Sequence, residues 1–446
     1  MLKVLFAASE ATPIAKVGGL GDVAGALPKA LRRLGVDIRL VIPRYLGIET
    51  PQYLPGSQVP VYYVKSTQYF DRDQIYGYDD DPMRFTYFSE ALLERVKEEH
   101  FQPDIIHVND YHTALVSVLL KTKWARDPYF WRTKTLLTIH NMSNQGSYST
   151  DLLNQVGLTP EATPNLSWDA RDGDIDLLLQ GVAESDLLVA VSPTYAKEIL
   201  TAEYGFGLED KLRERRDRLF GVLNGIDTEN YDPESDPNLV SQYSVNNLEK
   251  RLLNRSELAR EMGFTNQEWP IFGLVGRLVE QKGLDLVLQA GEELKKMPLN
   301  LVVLGVGEKI YEDKLRRLSQ EMPSFKLQLE FNESKARRVY AGSDFFLVPS
   351  KFEPSGLTQM IAMRYGAIPV VRKTGGLADT VTDGETGLVF DHYRGEDLAL
   401  TIKRALRLFR DPHEMGRIKI NGTKQDFSWD RSAKEYVKLY EKALKL

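Results

Sequence analysis

The sequence predicts an α/β protein built as two doubly wound domains that face each other across a cleft. Three observations carry that expectation. Short apolar runs alternate with helix-period runs almost throughout, the mark of parallel sheets assembled from βαβ units. The pattern occurs as two consecutive sets, and 446 residues are too many for one ordinary core. Each set also carries a glycine-bearing loop with basic residues soon after its first strand.

In the first set the strands read as Val4–Ala8, Ile38–Ile42, Asp104–Val108, Thr135–Ile139, Leu187–Val191 and Leu219–Leu223. In the second they read as Ile271–Val275, Leu299–Leu304, Leu327–Phe331, Phe345–Val348, Ile368–Val371 and Leu388–Phe390. Helical periodicity fills the gaps, as in Val23–Leu34, Glu312–Gln320 and Glu396–Leu408. Asn224-Gly225-Ile226-Asp227 and the Pro- and Asp-rich Tyr231–Pro237 carry turn chemistry between the sets. The boundary is therefore expected near Asp217, with domains at 1–217 and 218–428. In the last stretch, 429–446, residues Trp429, Ala433, Tyr436, Val437, Tyr440 and Leu444 share one helical face. That stripe must be buried against something, and the first domain is the expected partner.

Bulk properties exclude several classes. A hydrophobic content of 42% rules out a disordered chain. The net charge of −6 gives no support for nucleic-acid binding, and the basic run Arg213-Glu214-Arg215-Arg216 is broken by an acid. With no Cys there are no disulfides, thiolate metal sites or thiol catalysis. The apolar run Val4–Ala8 ends in Ser9-Glu10 and reads as a first strand rather than a signal peptide. No apolar stretch approaches the ~18 residues that span a bilayer. A cytoplasmic protein without membrane attachment is expected.

The candidate chemistry lies where strands end and helices begin, the edge at which open α/β sheets bind ligands. Lys351-Phe352-Glu353-Pro354-Ser355-Gly356-Leu357-Thr358-Gln359 follows the strand Phe345–Val348 and puts one carboxylate and several backbone N–H groups there. A plain helix cap is the rival reading. Lys16-Val17-Gly18-Gly19-Leu20-Gly21-Asp22-Val23 opens the first long helix and reads as a phosphate cradle. Gly19-x-Gly21-x-x-Ala24 also matches a dinucleotide fingerprint, but Ser9 to Val17 separate it from the strand, and Ile42-Pro43-Arg44 offers no acid for a ribose. A turn without ligand is the third reading. Gly276-Arg277-Leu278-Val279-Glu280-Gln281-Lys282-Gly283 follows the first strand of the second set, and its two cations suit a diphosphate or plain solvent. His140-Asn141 ends a strand, and His107-Val108-Asn109-Asp110-Tyr111-His112 spans the end of another. His107 and His112 have neither a thiolate nor an i, i+4 spacing to support a metal. Lys373-Thr374-Gly375-Gly376-Leu377 again offers glycine N–H groups at a helix start. Read together, these loops describe a cleft for a diphosphate and a hydroxyl-bearing group.

Taken in order, these same motifs resemble the bacterial- and archaeal-type glycogen and starch synthases over nearly the whole chain. That family consists of retaining glucosyltransferases of the GT-B fold, with two Rossmann-like domains. The family usually has Glu-Pro-Cys-Gly where this chain has Glu353-Pro354-Ser355-Gly356, so a thiol role is absent here. Retaining relatives with a second Glu eight residues on match less well, because position 361 is Ile. The resemblance implies glucose transfer from ADP-glucose or UDP-glucose to the 4-hydroxyl of an α-1,4-glucan end. It implies donor contacts at Lys16, Gly18, Gly19, Asn141, Leu357, Thr358, Thr374, Gly375 and Gly376. It also implies that Arg277 and Lys282 stabilise the leaving diphosphate, that Glu353 and His140 meet the sugar, and that Asp110 lies near the acceptor.

With one carboxylate at the sugar, attack on the face that the diphosphate leaves is preferred over the two-carboxylate scheme of retaining hydrolases, and a covalent step through Glu353 stays open. Neither a metal nor pyridoxal phosphate is expected, although Asp79-Asp80-Asp81, Asp71-Arg72-Asp73 and Asp172-Gly173-Asp174 are literal Asp-x-Asp matches. The partners expected are a nucleotide-sugar and a glucan, with no nucleic acid; a homo-oligomer stays open. Four other readings remain at this point: a related GT-B transferase with a small acceptor, an oxidoreductase, a two-lobed binding protein and a phosphorylase-like enzyme.

Overall fold

The computed structural model describes residues 1–446. They form two compact units, Met1–Gly225 with Trp429–Leu446, and Ile226–Ser428. The expected boundary at 217/218 moves to 225/226. The strand Leu219–Gly221 pairs in parallel with Leu187–Ala190 and completes the first sheet, so the chain leaves that unit only afterwards.

The strands of the first unit are β1 (Lys3–Ala7), β2 (Asp37–Pro43), β3 (Val61–Val64), β4 (Ile105–Asn109), β5 (Lys134–Ile139), β6 (Ser147–Ser149), β7 (Asp174–Asp176), β8 (Leu187–Ala190) and β9 (Leu219–Gly221). Seven of them form a sheet in the order β3-β2-β1-β4-β5-β8-β9, and β6 with β7 makes a separate antiparallel pair. The apolar run of β1 follows from cover on both faces. Val4 and Phe6 pack into one core, while Leu5 and Ala7 pack into the other. The chain runs outward from β1 to β2 and β3 and then returns to β4 on the other side of β1. The first unit therefore has its topological switch point between β1 and β4, and ligands of such sheets bind at that opening.

The second unit contains β10 (Ile271–Val275), β11 (Asn300–Leu304), β12 (Phe325–Gln328), β13 (Phe345–Val348), β14 (Ile368–Arg372) and β15 (Leu388–Phe390). Their order is β12-β11-β10-β13-β14-β15, with every pairing parallel. The switch point lies between β10 and β13. The strand expected at Leu327–Phe331 starts two residues earlier. Phe325 is the buried anchor paired with Leu301, whereas Phe331 is 86% exposed. No helix is long and apolar enough to cross a membrane.

The terminal helix Trp429–Ala443 lies against the first unit, beside the helix Gly19–Arg33. Its buried face is Trp429, Ala433, Tyr436, Leu439, Tyr440 and Ala443, while Leu444 is exposed. Arg33 pairs with Asp430 at 2.6 Å, and Ser432 Oγ donates to the Leu223 carbonyl at 2.6 Å. Tyr440 Oη lies 2.7 Å from His107 Nδ1, and Thr138 Oγ1 lies 2.7 Å from His107 Nε2. His107 is thus a satisfied core histidine, and burial holds it neutral, with its pKa far below the usual imidazole range. Replacing Tyr440 by Phe leaves one ring nitrogen without its partner in a dry core. Urea unfolding of Tyr440→Phe should show a loss of about 1–3 kcal/mol. An unchanged midpoint would mean that the hydroxyl does not hold the imidazole.

Candidate active site

In the second unit three loops meet at the switch point, and backbone packing holds them there. The Arg277–Lys282 loop follows β10, and Gly283 takes a positive φ of 69°. A Cβ at Gly283 would lie 2.0 Å from the Pro349 carbonyl, so only glycine lets this loop approach the end of β13. Lys351 N donates to the Gln281 carbonyl at 2.9 Å, and Gln281 Nε2 donates to the Phe352 carbonyl at 3.3 Å. From the other side, Gly376 N donates to the Glu353 carbonyl at 3.0 Å. A Cβ at Gly375 would fall 1.9 Å from the Glu353 carbonyl, and one at Gly376 would fall 1.8 Å from that of Ser355. Arg372 Nε donates to the Ser350 carbonyl at 2.8 Å. Gln359 Nε2 donates to the carbonyls of Ser355 and Gly356 at 3.2 and 2.9 Å.

This framework places Glu353, 6% exposed, next to a cation. Lys282 Nζ lies 2.7 Å from Glu353 Oε2, and Ser350 Oγ donates to the same oxygen at 2.9 Å. Arg277 stands in the same loop as Lys282 but is exposed and makes no ion pair. Glu280 of the same loop pairs with Lys351 at 2.7 Å, which leaves Arg277 as the cation of the Arg277–Lys282 loop without an ion-pair partner. Leu357 and Thr358 are half-buried where the helix Thr358–Arg364 starts, and Thr374, Gly375 and Gly376 are buried behind the Glu353 loop. Sequence reasoning gave no role to Ser350, Gln359 or Arg372; Ser350 and Gln359 act on residues three or four positions away, and Arg372 reaches the Ser350 carbonyl from the neighbouring strand.

In the first unit two carboxylates sit at the ends of neighbouring strands. Asp110 follows β4 with φ of 51°, a conformation uncommon outside glycine. Its Oδ1 accepts from His140 N at 2.7 Å, which ties the end of β4 to the end of β5. Burial pushes the Asp110 carboxyl up to about 7; backbone N–H groups of His140 and Asn141 oppose this, and the charge of Glu10 adds to it. His140 Nε2 lies 2.9 Å from Asn109 Oδ1, and Asn109 Nδ2 donates to the Ala7 carbonyl. That orientation makes Nε2 the protonated nitrogen of His140 and leaves Nδ1 as an acceptor. Desolvation holds the ring neutral, down to about 3, so at neutral pH His140 serves as a polar contact and not as an acid. Asn141 Oδ1 accepts from Ser143 N and Oγ at 3.1 and 2.9 Å.

The glycine loop that opens the helix Gly19–Arg33 differs from the expected open cradle. The carboxylate of Glu10 already accepts from Val17 N at 2.5 Å and from Gly18 N at 3.0 Å, while Lys16 pairs with Asp22 at 2.7 Å. Gly18 therefore spends its N–H inside the loop, whereas Gly19 is exposed. Glu10 had been visible in the sequence only as the end of an apolar run. His112 is enclosed by Tyr76, Phe85 and Tyr111, apart from any cluster of acids. No group of three or more His, Asp or Glu side chains is arranged to hold a metal ion. In the Asp-x-Asp runs, Asp80 pairs with Arg72 at 2.5 Å, Asp81 with Arg84, and the Asp73 carboxylate accepts from Tyr78 Oη.

Comparison with known proteins agrees with the two-domain fold. Residues 3–214 match the starch synthase catalytic domain model, and residues 256–424 match that of glycosyl transferases group 1. The glycogen synthase of Thermotoga maritima is 42% identical over 482 residues, covering 99% of both chains. The chain belongs to the glycogen synthase family. The family member from Geobacillus stearothermophilus is 40% identical over 488 residues, covering 100% of this chain and 98% of that one. The catalytic domain of starch synthase IV from Arabidopsis thaliana, solved with ADP and acarbose, superposes with a TM-score of 0.88 at 31% identity, covering both chains fully. A sucrose-phosphate synthase from Thermosynechococcus elongatus shares the fold alone, with a TM-score of 0.67 at 17% identity. As a glycogen synthase family member, this chain is a hexosyltransferase of two parallel-sheet α/β domains.

The raised Asp110 pKa has a consequence with a definite sign. A carboxyl that titrates near 7 when folded, against 3.8 when unfolded, favours folding below about pH 4 and loses that contribution as pH rises to 7. Asp110→Asn keeps the acceptor oxygen and tolerates the positive φ. Relative to wild type it should gain about 2–3 kcal/mol of stability between pH 5 and pH 8, read by urea unfolding. Parallel curves for the two proteins would show an ordinary carboxylate at this position.

Proposed function

We propose that the chain transfers glucose with retention from ADP-glucose or UDP-glucose to the 4-hydroxyl at the non-reducing end of an α-1,4-glucan. The observation that carries this reading is Glu353 held against Lys282, with Arg277 in the same loop as Lys282, at the switch point of the second sheet. Breaking the bond between the anomeric carbon and the diphosphate oxygen builds positive charge on carbon and negative charge on the leaving group. Arg277 and Lys282 stabilise that negative charge where it develops. Glu353 offers its carboxylate to the positive charge on the sugar. The acceptor oxygen attacks on the face that the diphosphate leaves, and its proton passes to a diphosphate oxygen. The new glycosidic bond therefore keeps the configuration of the old one.

The remaining assignments belong to the same reading. His140 and Asn141 meet the sugar, Asp110 holds their loop on the acceptor side, and Leu357 and Thr358 border the ribose. Lys16 and Gly19, with Gly18 shaping the loop, contact donor phosphate, as do Thr374, Gly375 and Gly376. The starch synthase IV solved with ADP and acarbose supports a nucleotide-sugar donor and a glucan acceptor. We read the reaction as cytoplasmic and independent of both pyridoxal phosphate and a divalent metal. The cations of the Arg277–Lys282 loop supply the positive charge that a metal would otherwise bring, and Asp73, Asp80 and Asp81 of the Asp-x-Asp runs have ion-pair or hydrogen-bond partners of their own.

Nucleotide diphosphate release should be measured from ADP-glucose and UDP-glucose, with and without glycogen, in buffer and in excess EDTA. Release that depends on glycogen from at least one donor, with an α-1,4-linked product and no effect of EDTA, is expected. Release without glycan growth would contradict the acceptor assignment. Activity lost to EDTA and restored by Mg²⁺ or Mn²⁺ would contradict metal independence.

A further inference from the structure

The Lys16 loop resembles an anion cradle in sequence, yet in the folded chain an anion of the protein itself fills it. Glu10 is 2% exposed, and its carboxylate accepts from Val17 N at 2.5 Å and from Gly18 N at 3.0 and 3.3 Å. The Gly21 N–H is a further donor to it. Room for the carboxylate exists because residue 21 has no side chain: a Cβ there would lie 2.9 Å from Glu10 Oε2. The backbone of Glu10 is also fixed, because two tyrosines grip the residue before it. Tyr45 Oη donates to the Ser9 carbonyl at 2.6 Å, and Tyr76 Oη lies 2.6 Å from Ser9 Oγ. A carboxylate so placed, under the first turn of a fifteen-residue helix, is part of the loop's construction and not a lid over it.

Two consequences follow for what the loop can offer outward. The N–H groups of Val17 and Gly18 point inward to Glu10 and are spent. Gly19 and Leu20, in the first helical turn, have N–H groups without partners inside the helix. Gly19 is exposed, with open space around the position its Cβ would take, and the Lys16 side chain, paired with Asp22 at 2.7 Å, is 35% exposed. Those are the groups left to meet a ligand.

We propose that Glu10 is the positioning residue of this loop: its carboxylate holds Val17 and Gly18 inward so that Lys16 and Gly19 face the donor's diphosphate. The proposal rests on the reading of Lys16 as a donor-phosphate contact, and it adds the residue through which that contact is aimed. Without Glu10 the loop has two N–H groups seeking acceptors, and Lys16 loses its fixed base.

A double-mutant cycle on the full chain tests this. Glu10→Ala, Lys16→Ala, the pair together and Glu10→Gln are compared for kcat and donor KM, with unfolding midpoints measured for each. Glu10→Ala should lower kcat/KM by about 10- to 100-fold, the scale of a charge-assisted hydrogen bond. In the pair, kcat/KM should fall within about twofold of Lys16→Ala alone, because the second change has nothing left to misplace. Glu10→Gln keeps an acceptor oxygen for the loop and should recover part of the loss. Should Glu10→Ala fail to fold, the same cycle run with Glu10→Gln carries the test. Effects that simply multiply would overturn the proposal and leave Glu10 as a general support of the fold. If Lys16→Ala alone costs nothing, the phosphate-contact reading fails first, and this proposal fails with it.

Discussion

Backbone packed directly on backbone at the C-terminal edge of the second sheet is the constraint on which the rest depends. Gly283 against Pro349, Gly375 against Glu353 and Gly376 against Ser355 each leave no room for a Cβ. These contacts bring together segments about seventy and twenty residues away from Glu353 in sequence, and they give its carboxylate one geometry relative to Lys282. An electrostatic site works by being arranged before charge develops, so it does not reorganise during the reaction. Here the arrangement is set mainly by main-chain atoms and by a few buried side chains, such as Arg372 and Gln359, that grip main-chain carbonyls.

The first unit solves a similar problem with carboxylates. Asp110 collects the start of the His140 loop, and Glu10 collects the Lys16 loop, at the ends of adjacent strands β4 and β1. Both are desolvated, and both have their acidity lowered by it. Their shared property is that each accepts backbone N–H groups, which fixes a loop more tightly than solvent could. The neighbouring His140 is kept neutral by the same desolvation and oriented by Asn109, which itself is tied to β1 through the Ala7 carbonyl. The polar groups of this edge thus form one connected set spread over three adjacent strands.

Much of this was legible in the sequence, for identifiable reasons. Strands buried on both faces write themselves as apolar runs, so β1, β4, β5, β10, β13 and β14 were placed to within a residue or two. β3 was missed although Val61–Val64 consists of strand formers, because the run is only four residues long and borders turn-rich sequence, and the β6–β7 pair was missed because three-residue polar strands carry no period. The domain boundary was set too early: it was placed near Asp217, ahead of Leu219–Leu223, although that run reads as a strand of the first set and the turn signals begin only at Asn224. In the sites, residue types at strand ends pointed to Glu353, Lys282, Arg277, Asp110 and His140. The nearness of the Arg277–Lys282 loop to Glu353 followed from both lying at strand ends of one sheet, but the ion pair between Lys282 and Glu353 could not be read. Glu10 escaped notice for the same reason: an acid that ends a strand says nothing about which loop it will hold.

The most direct test of the account is Glu353→Gln, which is nearly isosteric. Its amide oxygen still accepts from Ser350 Oγ and Lys282 Nζ, so the packing of the three loops is kept and the negative charge alone is removed. The account predicts that kcat for glucosyl transfer falls by at least about 100-fold, with the unfolding midpoint and donor affinity close to those of the wild type. A folded Glu353→Gln protein that turns over within about threefold of wild type would contradict it, because the carboxylate around which the site is arranged would then carry no part of the reaction.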